Sequence, residues 1–331
     1  MARSTTWTGF EFGDNSGFSA FSGNVKILGS GRGRRARTGD FYLYLFKPTA
    51  SGGSYAQIPH EATIQNTSGG GVKAMMRVFF SVEALPSSGH EPYAYFGTAT
   101  VIQFGCEVNP SGQFRARTIG NVVSAYTTAT LAIGGDYELR LTAEYDDQPS
   151  GSDSSTATVT ILDAEGNELE TVTVTNAAAG SGPFMLQNAQ LGGWSFNTSI
   201  SILRFDDYFC DAASDADRAS VALPPEDRIS PIRPTGQGAS ADWSGEWQNL
   251  RDQPYSALLS TDQTSSVNGE STTLAHLSAA ALGISNIAGV KILANAKASV
   301  LSCTDGVVGC RSAMTDGNGD TIALTHVVFA R

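Results

Sequence analysis

Two acidic residues on one stretch are where chemistry first suggests itself: Glu144 and Asp146, in the run Glu144-Tyr145-Asp146-Asp147-Gln148-Pro149. Hydrolysis of a glycosidic bond needs a pair of carboxyls, about 5–5.5 Å apart for retention and farther for inversion. Alternate residues of a strand share a face, so Glu-x-Asp-x-Glu or Glu-x-Asp-x-x-Glu on one strand would supply acid and base together. Here the first two acids are present, but Gln148 and Pro149 stand where the second Glu is required. The simpler expectation is a strand that runs into the polar loop of residues 149–155, with no catalytic residue.

The other reactive residue types are scattered. Asp316-Gly317-Asn318-Gly319-Asp320 has the look of a calcium loop. Its sixth position is Thr321 rather than Gly and its twelfth is Val327 rather than Glu, so a hairpin tip accounts for it and no metal is expected. Asp206-Asp207 reads as an exposed strand end, where one acid meets a cation or an Arg. His60, His90, His276 and His326 stand apart from any Cys or acid at ligand spacing. No Gly-x-Ser-x-Gly elbow occurs. Cys106, Cys210, Cys303 and Cys310 lack paired Cys-x-x-Cys spacing. Cys303 and Cys310 flank an Asp305-Gly306 turn, which makes them a candidate cross-hairpin disulfide against a cytosolic default of two thiols. Tyr93, Tyr95, Tyr126, Trp194, Trp243 and Trp247 could stack on a sugar or fill a core. No cofactor is expected.

Charge narrows the partners. The 331 residues carry a net charge of −11, so generic nucleic-acid binding, which needs clustered Lys and Arg, is not expected. One run departs from this: Arg32, Arg34, Arg35 and Arg37 fall within seven positions. It reads as a surface loop that pairs with the acidic surface of a neighbouring subunit, in preference to nucleic acid. The opening segment lacks an apolar h-region and no run of about 18 apolar residues occurs. The expectation is a protein made in the cytoplasm, neither secreted by a standard signal nor spanning a membrane.

The elements that would position these residues are strands. Charged residues are 16% of the chain, against about 25% in a typical globular protein, and 36 Gly with many Ser and Thr take their place. That composition suits short strands joined by tight turns. Phe41-Tyr42-Leu43-Tyr44-Leu45-Phe46 is apolar on both faces, as a buried sandwich strand is. Residues 72–82, 93–96 and 101–104 read as further strands, and residues 113–117 as a half-exposed one. Residues 137–145 alternate strictly. Residues 157–175 form the clearest hairpin, with Gly166 and Asn167 offered as positive-φ positions of its turn. About a dozen strands before residue 212 predict a two-sheet antiparallel sandwich. Residues 211–242, with four prolines, read as an extended linker. Beyond it, Ser271-Thr272-Thr273 precede a short helix over residues 274–283 with a Gly stop. Residues 290–300 and 321–329 read as strands.

Taken in order, these features resemble a group of tailed-bacteriophage minor structural proteins built on a concanavalin-like, laminin-G-like jelly roll. Gly9-Phe10-Glu11-Phe12-Gly13-Asp14, followed by the Gly/Arg-rich turn into the aromatic strand of residues 41–46, looks like their first hairpin. Phe205-Asp206-Asp207-Tyr208-Phe209-Cys210-Asp211 looks like their closing strand. Asp227-Arg228-Ile229-Ser230-Pro231-Ile232-Arg233-Pro234-Thr235-Gly236-Gln237-Gly238, then Asp242-Trp243 and Trp247-Gln248-Asn249-Leu250, is similar to their linker. The likeness runs end to end, with motif-level similarity over residues 205–262. It departs at the short C-terminal unit, where residues 303–310 have no counterpart.

The fold expectation is thus all-β: a jelly-roll sandwich over residues 1–212, a linker over 213–242, and a small C-terminal β domain with one short helix over 243–331. The resemblance implies a non-enzymatic virion component in contact with other virion proteins and forming a homo-oligomer. Tail, fibre or baseplate is preferred to capsid decoration. Recognition of a host surface glycan is the rival role, and polysaccharide cleavage a lesser one.

Overall fold

A computed structural model describes residues 3–10, 18–29, 37, 41–47, 53–58, 64–97, 101–148, 153–180, 184–193, 201–223, 234–241, 272–276, 308–315 and 321–329. They fall in two units, Met1–Pro231 and Ile232–Arg331.

The first unit is a two-sheet antiparallel jelly-roll sandwich. Its strands are β1 Arg3–Thr8, β2 Ala20–Ser22, β3 Asn24–Gly29, β4 Phe41–Lys47, β5 Ser54–Ile58, β6 Ile64–Gln65, β7 Gly71–Ala84, β8 Glu91–Gly97 and β9 Ile102–Val108. They continue with β10 Phe114–Thr118, β11 Val122–Val123, β12 Asp136–Asp146, β13 Ser154–Asp163, β14 Glu168–Asn176, β15 Met185–Leu186, β16 Ala189–Gly193 and β17 Ser201–Ser214. One sheet has eight strands in the order β14-β13-β12-β7-β17-β4-β3, with β1 also paired to β17. The other has seven, in the order β11-β10-β9-β8-β16-β5-β2. β6 and β15 form a separate short pair.

Alternation builds the core between the sheets. Val72, Ala74, Met76, Val78, Phe80 and Val82 of β7 all face inward, as do Tyr137, Leu139, Leu141, Ala143 and Tyr145 of β12. Phe104, Cys106 and Val108 of β9 and Phe114 and Ala116 of β10 meet them from the second sheet. Phe80 sits at the centre, its ring 5.5 Å from Tyr137, 5.8 Å from Tyr93 and 6.4 Å from Phe205. Aromatic pairs at such separations add about 0.5–1.5 kcal/mol each beyond area burial.

The sandwich extends past residue 212, where the sequence places its end. β17 runs to Ser214 and is followed by a 3-10 turn, Asp215–Ser220, and a buried Val221. Side chains hold this extension: Asp215 accepts the Thr67 amide and Arg218 pairs with Asp146. In the hairpin turn between β13 and β14, Gly166 adopts φ +87°. Asn167 does not share that conformation. It donates its backbone and side-chain N–H groups to Asp163 instead.

In the second unit, β18 Pro234–Ala241 pairs with β19 Thr272–His276, and β20 Val308–Thr315 with β21 Thr321–Phe329. Residues 234–241, read as part of an extended linker, are therefore a paired strand. Leu274, Ala275 and His276, expected to begin a helix, lie in β19. Thr272 and Thr273, read as helix caps, are β-branched and belong to the strand instead. The rest of that helix, residues 277–283, and the strand expected over 290–300 lie outside the described residues.

Candidate functional site

Glu144 and Asp146 do share a face of β12, because Tyr145 between them points into the core. That face is the outer side of the eight-stranded sheet, and each acid meets a cation there. Lys73, directly opposite on β7, reaches Glu144 at 3.1 Å. Arg218 closes on Asp146. Asp147, the next acid, is 5% exposed and turned aside, accepting the Gly69 amide at 3.0 Å and the Asn66 side-chain amide at 3.3 Å. In the sequence, Gln148 and Pro149 stand where the second Glu of the pair is required. Close by, residues 67–70 with Asp215, Ala216, Arg218 and Ala219 line an open hollow in which Asp215 is already bound to the Thr67 amide. The strand ends at Asp146, and residues 149–152 of the polar loop expected after it lie outside the described residues. Asp153 accepts the Tyr145 hydroxyl at 2.7 Å and the Gln148 amide at 3.1 Å.

Asp206 and Asp207 are not an exposed strand end. Both are buried in the middle of β17, where the register against β7 shifts between Asp206 and Phe209. Asp207 holds φ +45° within that bulge, a left-handed conformation that a non-glycine residue adopts at a cost of order 1–3 kcal/mol. Arg37 supplies the compensation. Its amide donates to Asp206 at 2.7 Å, its guanidinium pairs with Asp207 at 3.4 Å, and the same guanidinium lies over the Phe79 ring. Of the four arginines in the run, Arg37 is thus engaged within the sandwich. Arg32, Arg34 and Arg35 lie outside the described residues.

One cluster escaped the sequence reading. Glu107 on β9 is 1% exposed, yet it points away from the core because Cys106 and Val108 flank it inward. Arg115, directly opposite on β10, donates Nε to Glu107 Oε2 at 2.8 Å. Arg117 brings Nε to Oε1 at 2.7 Å, off the line of a hydrogen bond. His90 stands 3.6 Å from the same carboxylate. The Arg115 guanidinium also lies 4.7 Å above the Tyr126 ring. Two guanidiniums share one carboxylate, so the cluster carries a net positive charge on an acidic protein. Burial lowers the His90 pKa, Glu107 opposes that shift, and Arg115 and Arg117 reinforce it. The imidazole is therefore neutral near pH 7 and adds no charge. Burial also raises the Tyr126 pKa and keeps the phenol intact.

The signal that could have found this cluster is the turn between the two strands. Asn109 Oδ1 accepts the amides of Ser111 and Gln113, and Gly112 takes φ +77°. An Asn-Pro-Ser-Gly-Gln loop of that kind sets Val108 against Phe114 and hence Glu107 against Arg115.

Of the aromatic residues offered for sugar stacking, Tyr93 and Tyr95 are fully buried. Tyr95 donates its hydroxyl to Gln190 at 2.5 Å on the outer face of the seven-stranded sheet. Tyr126 is half-buried, and Trp194, Trp243 and Trp247 lie outside the described residues. Cys106 and Cys210 are free thiols, fully buried, with the Cys210 pKa pushed up to about 12 by burial. Cys310 lies on β20 opposite Val327. Cys303 and residues 316–320, the calcium-like tip, are outside the described residues. Among the described residues no three His, Cys, Asp or Glu side chains converge on a metal position.

No family model matches the chain, and no curated protein matches it. Solved structures do. Peanut lectin is 10% identical, with 65% of this chain and 99% of the lectin covered at a TM-score of 0.41. The PL-14 alginate lyase of the marine Aplysia kurodai is 7% identical, covering 58% and 90% at 0.40. The cellulose-induced protein Cip1 is 12% identical, covering 62% and 96% at 0.38. At these identities the likeness transfers no residue role.

Proposed function

We propose that this chain is a non-enzymatic structural component of a tailed-bacteriophage particle, carried at the tail, fibre or baseplate. In this reading the jelly roll is displayed and the C-terminal unit attaches or oligomerises. The observation that carries its non-enzymatic half is the fate of the acids on β12. Glu144 is held by Lys73, Asp146 by Arg218, and Asp147, just past the strand, by the Gly69 amide and the Asn66 side chain, so each acid is already engaged in a structural contact. A catalytic general acid stands in an apolar setting away from cations. The phage setting is supported by the similarity of residues 205–262 to the linker of that group. Mass spectrometry of purified particles tests the setting: the chain is expected in stoichiometric amount, and its absence from intact particles overturns the reading. A parallel assay of purified protein on host capsule is expected to release no oligosaccharide. Cleavage that Glu144→Gln abolishes would establish a depolymerase instead.

A second reading, recognition of a host glycan, is favoured by one arrangement. Tyr126 offers a half-buried ring beside Arg115, with Arg117 and a neutral His90 adjoining. A ring next to excess guanidinium charge suits an acidic sugar, by stacking and charge-assisted hydrogen bonds. A glycan array in which Tyr126→Ala loses at least tenfold in binding would support it. No signal from the intact protein would remove it.

A further inference from the structure

β14 closes one end of the eight-stranded sheet and has a partner, β13, on one side only. Among the described residues no backbone hydrogen bond reaches its outer edge. Open edges are templates for another strand, and natural sheets guard them with short strands, charges, Pro or bulges. The other edges of the two large sheets are guarded: β11 and β2 have two and three residues, β3 carries Lys26 and β1 carries Arg3. β14 is not. Its second half, Thr171-Val172-Thr173-Val174-Thr175-Asn176, has no charge, Gly or Pro. The register irregularity against β13 falls at Ile161/Leu162, beside the other half.

The same six residues are complementary to themselves. In an antiparallel pair centred on Thr173, Thr171 meets Thr175 of a second copy, Val172 meets Val174, and Glu170 meets Asn176. No acid faces an acid. The outer face of β13 and β14 already shows what such a pairing would extend. Thr156–Thr175, Thr158–Thr173 and Thr160–Thr171 form a ladder of hydroxyl hydrogen bonds at 3.0, 3.0 and 2.7 Å. On the inner side Val172 and Val174 pack on the core. A second copy in this register would add further threonine pairs to the ladder and further valine pairs beneath it. We propose that β14 is the seam of a two-fold dimer, in which the eight-stranded sheets of two copies join edge to edge about Thr173. The proposal is independent of where the protein sits in a particle.

Light scattering on the full chain tests it together with two substitutions of an exposed residue. The wild type is expected at twice the 34.7 kDa chain mass. Thr173→Lys sets like charges opposite one another on the two-fold and is expected to give the single-chain mass with an unchanged circular dichroism spectrum. Thr173→Cys is expected to cross-link two copies under oxidation, with the bond mapped by peptide mass to position 173 on both. Thr158→Cys, one strand inward, is expected not to. A wild type of single-chain mass at every concentration overturns the proposal. So does an assembly that survives Thr173→Lys while Thr173→Cys fails to cross-link.

Discussion

Glu107 is surrounded by more positive charge than it can neutralise, and that asymmetry makes it the most consequential single residue outside the core. Removing one partner of a buried ion pair typically costs about 3–5 kcal/mol, because the other charge stays buried and unpaired. Glu107→Gln leaves Arg115 and Arg117 facing each other at 16% exposure. The expected loss is about 3 kcal/mol, read by urea denaturation. Glu144→Gln breaks only a half-exposed pair with Lys73 and should change stability by roughly 0.5 kcal/mol or less. His90 gives the cluster a pH signature. Its native pKa lies below 6.5, so between the two values the unfolded chain binds more protons. Acidification through that interval therefore destabilises the native state, and below the native pKa the loss is complete. A His90→Gln variant is expected to lose less stability than the wild type between pH 7 and 5, and the imidazole resonances of His90 should titrate below 6.5. A midpoint above 6.5 would contradict the assignment. The outward-facing arginines were legible in the alternation of residues 113–117. Glu107 was not, because the register that brings it opposite Arg115 is set by a turn and not by strand periodicity.

At the scale of elements, the strictly alternating strand read over residues 137–145 and the hairpin read over 157–175 are strands, and exceptions arose where a strand breaks its own rule. β12, β13 and β14 follow the period-two pattern that gives one buried and one polar face. β17 does not: its bulge at Asp206 and Asp207 buries two adjacent acids, which no hydropathy pattern signals. Their partner, Arg37, is far away in sequence, and periodicity carries no information about such distant pairs. The start of β19 was misread for a different reason, since Ser-Thr-Thr before an apolar run fits a helix cap and a strand equally well. β16 supplies a sharper test of strand geometry. Gly192 has φ +74°, and a Cβ there would stand 2.5 Å from the Ser54 carbonyl and 2.4 Å from Leu45. Gly192→Ala is expected to destabilise the sandwich by about 2 kcal/mol or more, from the left-handed backbone and the clash together. A thermal midpoint equal to that of the wild type would mean that β5 and β16 pair differently.

For the molecule as a whole, the architecture and the chemistry point the same way. Glu144 and Asp146, paired with Lys73 and Arg218 on the outer face of the sandwich, fit the display module proposed above better than a hydrolase. Composition changes after residue 212, whereas the first unit runs to Pro231, with side-chain contacts of Asp215 and Arg218 tying the segment past residue 212 to the sandwich. Position in a particle is a property of neighbours, so neither alternation nor turn chemistry in this chain could fix it. The most direct test is electron microscopy of purified particles bearing a gold-labelled copy of this subunit. The account predicts label at the tail, fibres or baseplate. Label spread over the icosahedral shell, or missing from particles altogether, would contradict it.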